Sequence, residues 1–384
     1  MKNFFNSRWG KLGSLLVLLV SVTFIISSCS DLINEPTVQD QTVTQDQGAL
    51  TKDNPEIRAV IPIQERHTAD LMKIPEVIGT AVGLTDDGKP CILVLTKTDI
   101  VANALAQGTA SPLPDMLENV PVKIMVTGEI KTFKGRPGGG GVSHTAKQTA
   151  PISLGTSGGW HYDLANGYCC GGTLGSLVKI GSVQYIMSNY HVFESDIVSG
   201  GNGRVASNGD GILQPGLIDI NCSAANGQDV ATLVLKHSLP NSNVDVGVAQ
   251  VISGMVKTDG SILEVGTLSA NTVSASINQA VKKSGRTSGL TRSTISGLNA
   301  TVSVSYENEC AGGTAFTKTF TGQIVIANRR SGFLAAGDSG SLMVEDVTSN
   351  PRAVGLLFAG SNTSAIANPI NQVLSFLGAS MVGQ

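Results

Sequence analysis

Residues 173–193 read Thr173-Leu174-Gly175-Ser176-Leu177-Val178-Lys179-Ile180-Gly181-Ser182-Val183-Gln184-Tyr185-Ile186-Met187-Ser188-Asn189-Tyr190-His191-Val192-Phe193. Two short apolar, β-branched runs, 173–180 and 183–188, predict strands. A histidine follows where the second strand should leave its sheet. The pattern continues outward at 230–235, 244–252, 262–268, 302–306, 323–327, 341–344 and 353–358, with Gly, Asn, Asp and Ser between the runs. Short strands at such spacing, without strand–helix alternation, predict a sandwich or barrels. Residues 370–377 have helical spacing and close the chain as one amphipathic helix. Residues 152–384 thus predict one large, mainly β domain.

Composition narrows the class. The 384 residues are 41% hydrophobic and 14% charged, too apolar for a disordered chain. The 45 glycines have no three-residue period, which excludes collagen. Many glycines with only 4% aromatic residues predict many turns. A net charge of -3 offers no basic footprint, so no nucleic-acid partner is expected.

The N-terminus reads as an address. Lys2, Arg8 and Lys11 precede an apolar run over 12–26, too short to span a bilayer comfortably and of signal-peptide form. Ser27-Ser28-Cys29 resembles the lipobox of bacterial lipoproteins; an ordinary signal peptide with a chance cysteine is the alternative. The resemblance implies a signal peptide over 1–28, lipidation of Cys29 and a membrane partner through that anchor. Ser30 resembles the sorting residue of outer-membrane lipoproteins, which implies a periplasmic or surface-exposed place in the cell envelope.

Residues 29–58 are polar and predict a flexible tether. Residues 59–134 predict a small α/β accessory domain. Its expected parts are a helix over 63–73 ended by Pro75, strands over 77–84 and 92–96 around the turn Asp86-Asp87-Gly88, a helix ending near 117–120, and a strand over 122–132. Residues 135–151 predict a Gly-rich linker; no Gly-Lys-Ser/Thr follows the glycines, so they do not form a phosphate loop. Besides Cys29 there are Cys91, Cys169, Cys170, Cys222 and Cys310. An odd number leaves at least one unpaired in an oxidising compartment. Cys222 with Cys310 is a candidate disulfide, and Cys169-Cys170 is either a reactive pair or two buried thiols. There is no C-x-x-C and no His/Cys cluster, so no zinc or other metal is expected.

Three places break the pattern around them. His191 stands at a strand end, a rigid platform for a general base; alone it also reads as structural. Asp245 sits within the apolar run 244–252. A carboxylate there needs a partner such as an imidazole N–H, or it caps a turn. Gly337-Asp338-Ser339-Gly340 precedes a strand. Gly337 permits backbone angles that let successive N–H groups converge on one point, although alone the segment also reads as a plain loop.

Taken together, the order His, Asp, Ser resembles that of the trypsin-like serine proteases. Gly172–Val178 is similar to the strand that opens their first barrel, and Ser188-Asn189-Tyr190-His191 and Gly337-Asp338-Ser339-Gly340 to their histidine and nucleophile motifs. A closer resemblance is to the NARROW LEAF-type branch and its bacterial relatives. It rests on Ile186–Val192, Ile212-Leu213-Gln214-Pro215-Gly216, Lys283–Thr291, residues 337–342, Val354–Gly360 and Ala367-Asn368-Pro369-Ile370. These segments cover about 152–384.

The resemblance implies a chymotrypsin-like double β-barrel, about 152–252 and 253–384, behind a small N-terminal α/β domain. Ser339 is then the nucleophile, His191 its base, Asp245 the acid that holds the histidine, and the N–H groups of Gly337 and Ser339 the oxyanion hole. The implied activity is serine endopeptidase on a protein or peptide substrate, with no metal or organic cofactor. Phe333, Phe358 and Gly360 are the implied pocket residues, giving a preference for uncharged side chains. Val192 stands where animal relatives have a cysteine, and Ser341 replaces a glycine. Asp338 is the acid that in animal relatives captures a cut N-terminus; it could capture Ile152 if cleavage freed it, but a lipid-tethered chain need not be cut and bacterial relatives often dispense with the step. Asp229 is a reserve for the triad acid, Arg286 a hairpin brace or substrate contact, and His67, His144, His161 and His237 surface residues. The rival readings are a catalytically silent surface binding protein and an esterase using the same triad. The accessory domain is expected to serve as folding chaperone, inhibitor or assembly surface, and self-association into a homo-oligomer stays open.

Overall fold

The computed structural model describes residues 48–132, 143–165, 168–194, 205–306, 316–328 and 332–384. The expected signal peptide, Cys29, the tether up to residue 47, linker residues 135–142 and Cys310 lie outside the described residues. The described chain is mainly β, with two large sheets.

The first sheet has eight strands in the order Ser380–Met381, Ser176–Ile180, Val183–Ser188, Gly247–Val251, Gln228–Val234, Gly211–Gln214, Thr156–Trp160 and Gly172–Leu174. Its pairings are antiparallel. The predicted run 173–180 is two strands, broken at Gly175, where an added Cβ would collide with the carbonyl of Gly340. Trp160, Leu177, Phe193 and Val248 fill its core, joined by Leu356 from the second sheet and Ile370, Val373 and Leu377 of the helix Ile370–Leu377. That helix has the bounds the spacing predicts, and Gly378 ends it in the left-handed conformation at φ 62°.

The second sheet has ten strands. Ala280–Gly285, Leu342–Glu345, Ala353–Gly360, Ser364–Pro369, Phe316–Ala327 and Gly289–Tyr306 follow in order, and Ala280–Gly285 also pairs with Gly289–Tyr306, which closes these six into a barrel. The runs 302–306 and 323–327 are the ends of much longer strands: 316–320 continues the second to pair with 302–306, and 289–294 continues the first to pair with Ala280–Gly285. The fold is a chymotrypsin-like double barrel.

The N-terminal strands belong to this same sheet. Val77–Leu84 pairs antiparallel with Gly289–Tyr306, with Gly79 opposite Val302, and the order continues through Pro90–Thr96, Val120–Val126 and Met116–Leu117. Residues 47–384 form one compact unit. The strand Pro90–Thr96 is apolar up to Leu95 because both faces are covered. Ile92 and Val94 join the core that holds Ile57 and Val60 of the helix Pro55–Leu71, while Cys91, Leu93 and Leu95 join the core that holds Val302, Phe320 and Phe358.

That helix begins at Pro55, within the expected tether, because Asn54 caps it by accepting from Glu56 N at 3.0 Å and proline fits a first turn. It carries Pro62 inside and ends at Leu71, ahead of Pro75. The second helix is Ile100–Ala106, capped by Asp99; residues 116–117 form a short strand instead of a helix end. The strand expected over 122–132 is Val120–Val126, and Lys131 beyond it bridges Ser305 and Gly360 instead of extending the strand.

Candidate active site

His191 lies in the short turn Tyr190–Phe193, directly after the strand Val183–Ser188. Ser188 and Asn189 tie this end down. Ser188 Oγ donates to Thr173 O at 2.7 Å, and Asn189 Nδ2 donates to Asp245 O at 2.8 Å. Asp245 precedes the strand Gly247–Val251 and is not part of it, because its N–H donates to the side chain of Asn368 at 2.9 Å. Asn368 Nδ2 in turn donates to Gln323 Oε1 at 2.6 Å. A second-barrel amide pair thus fixes the first-barrel acid.

The two side chains meet. His191 Nδ1 is 2.6 Å from Asp245 Oδ2, and His191 N–H donates to Asp245 Oδ1 at 3.3 Å. Both residues are buried. The Tyr306 hydroxyl donates to the same Oδ2 at 2.9 Å, with its ring edge-on to the imidazole. Burial, and then the Asp245 carboxylate and the bond to it, raise the Tyr306 hydroxyl well above its ordinary value. It therefore stays protonated and stays a donor.

Ser339 approaches from the second barrel. Its carbonyl accepts from Thr173 N at 2.9 Å, and its Oγ is 3.4 Å from Phe358 O. A Cβ built on Gly172 would lie 2.6 Å from Val192 Cγ2 and 3.0 Å from Ser339 O, so the neighbour of His191 and the serine flank one glycine. The residue after His191 and the carbonyl of Ser339 thus meet about Gly172 at the seam between the barrels.

The loop before Ser339 has its carbonyls turned inward. Ala336 O accepts from Thr287 Oγ1 at 2.5 Å, and Asp338 O accepts from Ser341 Oγ at 2.5 Å and Ser341 N at 2.9 Å. In a trans peptide the N–H points opposite the carbonyl. The N–H groups of Gly337 and Ser339 share those two peptides, so both point away from the groups that anchor the loop. Gly337 has φ 95° and Gly340 φ 91°, a region costly for residues with a Cβ. Ser341 earns its place by holding the carbonyl of Asp338.

Asp338 does not hold an N-terminus. Its carboxylate receives Lys283 Nζ at 2.9 Å, Ala335 N at 2.9 Å, Thr287 N at 2.9 Å, Ser288 N at 3.1 Å and the Ser288 hydroxyl. Both Lys283 and Asp338 are fully buried. Burial pushes the Asp338 carboxyl up, but the Lys283 ammonium and these donors outweigh it and hold it below the usual range. Burial lowers Lys283, against the pull of Asp338. Ile152 is occupied elsewhere: its side chain is in the first core and its N–H donates to Met255 O at 2.8 Å. Its capture by Asp338 is replaced by a lysine supplied in the fold.

Other expected residues are placed as follows. Phe333 is packed in the core with Ile295, Val354 and Leu357, and Phe358 in the core with Phe320 and Tyr306. Gly360 pairs through both backbone groups with Lys131. Asp229 bonds His161 Nδ1 at 2.9 Å and so is not the triad acid. Arg286 is a brace: Nε donates to Asp219 Oδ2 at 2.8 Å and Nη2 to Asp219 Oδ1 at 2.5 Å, linking the two barrels from a buried position. His144 is no surface residue; it is buried between Gly155 O at 2.8 Å and Glu264 at 2.7 Å. His67 bonds Glu118 at 2.9 Å, and His237 remains exposed. The expected Cys222–Cys310 pairing is overturned, since Cys222 is bonded to Cys169. Cys170 is also in a disulfide, so Cys169-Cys170 is not a thiol pair. Cys91 is a buried free thiol, pushed up to about 11 by burial.

Tyr306, Lys283, Asn368 and Asn189 were not singled out by their chemistry in the sequence. Asn368 carried one usable signal, a polar residue after the apolar run 365–367; Lys283, between Lys282 and Ser284, carried none.

The chain carries the fold of a chymotrypsin-like serine protease, with a histidine–aspartate pair and a serine loop at its seam. The family described as the Nal1 C-terminal domain matches residues 240–368. No protein of curated function matches the chain. Among solved structures, it is similar to a glutamic-acid-specific serine protease described as using a histidine triad in substrate binding, at 18% identity and TM-score 0.40 over 60% of this chain and 100% of that one. Protease A of Thermobifida fusca aligns at 19% identity and TM-score 0.39 over 61% and 99%. A chymotrypsin of Cellulomonas bogoriensis aligns at 18% and 0.37, again over 61% and 99%.

Proposed function

We propose that this protein is a serine endopeptidase anchored to the bacterial outer membrane by lipid on Cys29. The observation that carries the reading is the buried His191–Asp245 pair, 2.6 Å apart, with Gly172 packed between the neighbouring Val192 and the Ser339 carbonyl. His191 Nε2 takes the proton of Ser339 Oγ as that oxygen attacks a peptide carbonyl. Asp245 fixes the tautomer with hydrogen on Nδ1 and stabilises the imidazolium. The N–H groups of Gly337 and Ser339 hold the oxyanion, and donors of this kind are worth ~100- to 1,000-fold each. His191 returns the proton to the leaving amine, and water then releases the acyl group by the same steps. The segment over 1–29, with its basic start, apolar run and lone cysteine, supports the anchor and an envelope location.

Labelling with an alkyl fluorophosphonate tests the reading. The full chain is expected to label on Ser339, and Ser339→Ala and His191→Ala to lose labelling. Folded protein that stays unlabelled, also with the segment described below weakened, would overturn catalysis in favour of a binding protein on the same fold. Hydrolysis of esters without peptides would favour the esterase reading.

A further inference from the structure

The strand Ala353–Gly360 ends beside the serine. Phe358 O lies 3.4 Å from Ser339 Oγ, and Gly360 is two residues further along. The edge at Gly360 is taken. Lys131 N donates to Gly360 O at 3.0 Å and Gly360 N donates to Lys131 O at 2.8 Å, an antiparallel bridge. On its other side the same segment runs parallel to Ser305: Ser305 N donates to Ile130 O at 3.0 Å and Thr132 N to Ser305 O at 3.1 Å. Ser361 Oγ and Thr363 Oγ1 pin its start through Thr127 O, at 2.5 and 2.9 Å.

The register has a direction. In an antiparallel ladder the partners step in opposite senses. With Lys131 opposite Gly360, a peptide continuing in the same register would set its next residue opposite Ala359 and the one after opposite Phe358. A peptide in this register therefore brings its second residue beyond the Lys131 position to Ser339 Oγ. The segment alternates as an extended chain does: Ile130 and Thr132 are buried, while Glu129 is exposed and Lys131 half-buried. Ile130 is 1% exposed, in the core that includes Tyr190, Tyr306, Phe358 and Ala359. Two of those four neighbour the site directly, since Tyr190 precedes His191 and Tyr306 holds Asp245.

We propose that residues 129–132 occupy, in cis, the edge on which a peptide substrate pairs, and that the Ile130 site is a subsite for branched aliphatic side chains. The inference rests on Ser339 being the nucleophile. The segment competes with substrate, so the apparent affinity for an extended peptide is reduced by the fraction of molecules in which the edge is open. Displacement requires both backbone bonds to Gly360 and the Ile130 side chain to be exchanged for those of the incoming peptide.

Two probes on the full chain test this. The first is an alkyl fluorophosphonate, which needs the nucleophile and not the edge. The second is a tetrapeptidyl diphenyl phosphonate whose first residue, three before the phosphonate, is Ile; an otherwise identical probe starts with Asp. Ile130→Ala empties the subsite and leaves the ladder, and Lys131→Pro removes the donor to Gly360 O. Thermal unfolding confirms that each variant is folded. The Ile-led probe is expected to label Ile130→Ala about tenfold faster than wild type, and about tenfold faster than the Asp-led probe does. Labelling of Lys131→Pro should rise in the same way. Equal rates for wild type and both variants, with the alkyl probe still reacting, would overturn the inference alone. Silence of both probes in every folded form would overturn the nucleophile and the inference with it.

Discussion

Tyr306 donates its hydroxyl to Asp245 Oδ2 at 2.9 Å, the oxygen that also faces His191 Nδ1 at 2.6 Å. Tyr306 ends the strand Gly289–Tyr306 of the second barrel, whereas Asp245 and His191 belong to the first. The orientation of the acid is therefore set across the seam. Tyr306→Phe keeps the ring and deletes the donor. Hydrogen bonds to charged groups are worth ~1.5–3 kcal/mol, so kcat should fall on the order of tenfold while KM changes little, because Tyr306 acts through Asp245. Steady-state kinetics on a peptide substrate checks this; an unchanged kcat would remove Tyr306 from the positioning network.

The Lys283–Asp338 pair predicts a strongly non-additive stability effect. Lys283→Met leaves a buried carboxylate without its cation, which costs ~3–5 kcal/mol. Adding Asp338→Asn removes the uncompensated charge, so the double variant should be more stable than Lys283→Met alone. Denaturant unfolding of the two forms decides it, and a double variant less stable than the single would contradict the pairing.

The same pair sets an acid limit. The Asp338 carboxyl is held below its ordinary 3.8 by Lys283 and its hydrogen-bond donors, against burial. A depressed folded-state value contributes stability that is present above 3.8 and is lost as the pH falls through the folded value. Stability followed by circular dichroism should therefore drop below about pH 4 in wild type, and the drop should be shallower in the double variant.

His191, Asp245 and Ser339 were legible because each violates its local pattern: an imidazole at a strand end, an acid among valines, a serine between glycines. The partners that hold them were not. Tyr306 sits in a strand where a tyrosine is unremarkable, and only the fold brings it to Asp245. The strands were readable from β-branched runs, but their ends moved wherever polar residues pair, as in Gly289–Tyr306. Pairing of Val77–Leu84 with that strand is a non-local event that no window of sequence contains. The resemblance implies Phe333 as a pocket residue, yet it packs in the core of the second barrel.

Gly175 abuts the Ser339 loop from the other barrel. A Cβ there would collide with Gly340 O, and its N–H donates to Met187 O at 3.0 Å. Backbone lies on both sides, so neither neighbour gives way by turning a side chain. Gly175→Ala should cost ~1–3 kcal/mol as overpacking. It should also slow labelling of Ser339 by about tenfold or more, the effect expected when a reacting group is displaced. Labelling at the wild-type rate would show that the loop absorbs the methyl group without moving Ser339.

Cys169–Cys222 spans 53 residues and encloses His191 in its loop. Cys222 lies three residues after Asp219, which takes Nε and Nη2 of Arg286 and the Ser157 hydroxyl at 2.5 Å. Loss of the link should therefore reach the brace between the barrels as well as the unfolded chain. On the chain-entropy estimate a loop of this length is worth about 4 kcal/mol, so Cys222→Ser should lower the stability by up to that amount. Cys91 gives the control. Its thiol is buried and pushed up to about 11 by burial, so iodoacetamide should leave it unmodified in the native protein, since the thiolate is the reactive form. Unfolding without reductant should then expose Cys91, whereas Cys169 and Cys222 should react only after reduction. Alkylation of Cys169 in the unreduced, unfolded chain would show that the pairing is wrong and would remove the expected stability loss with it.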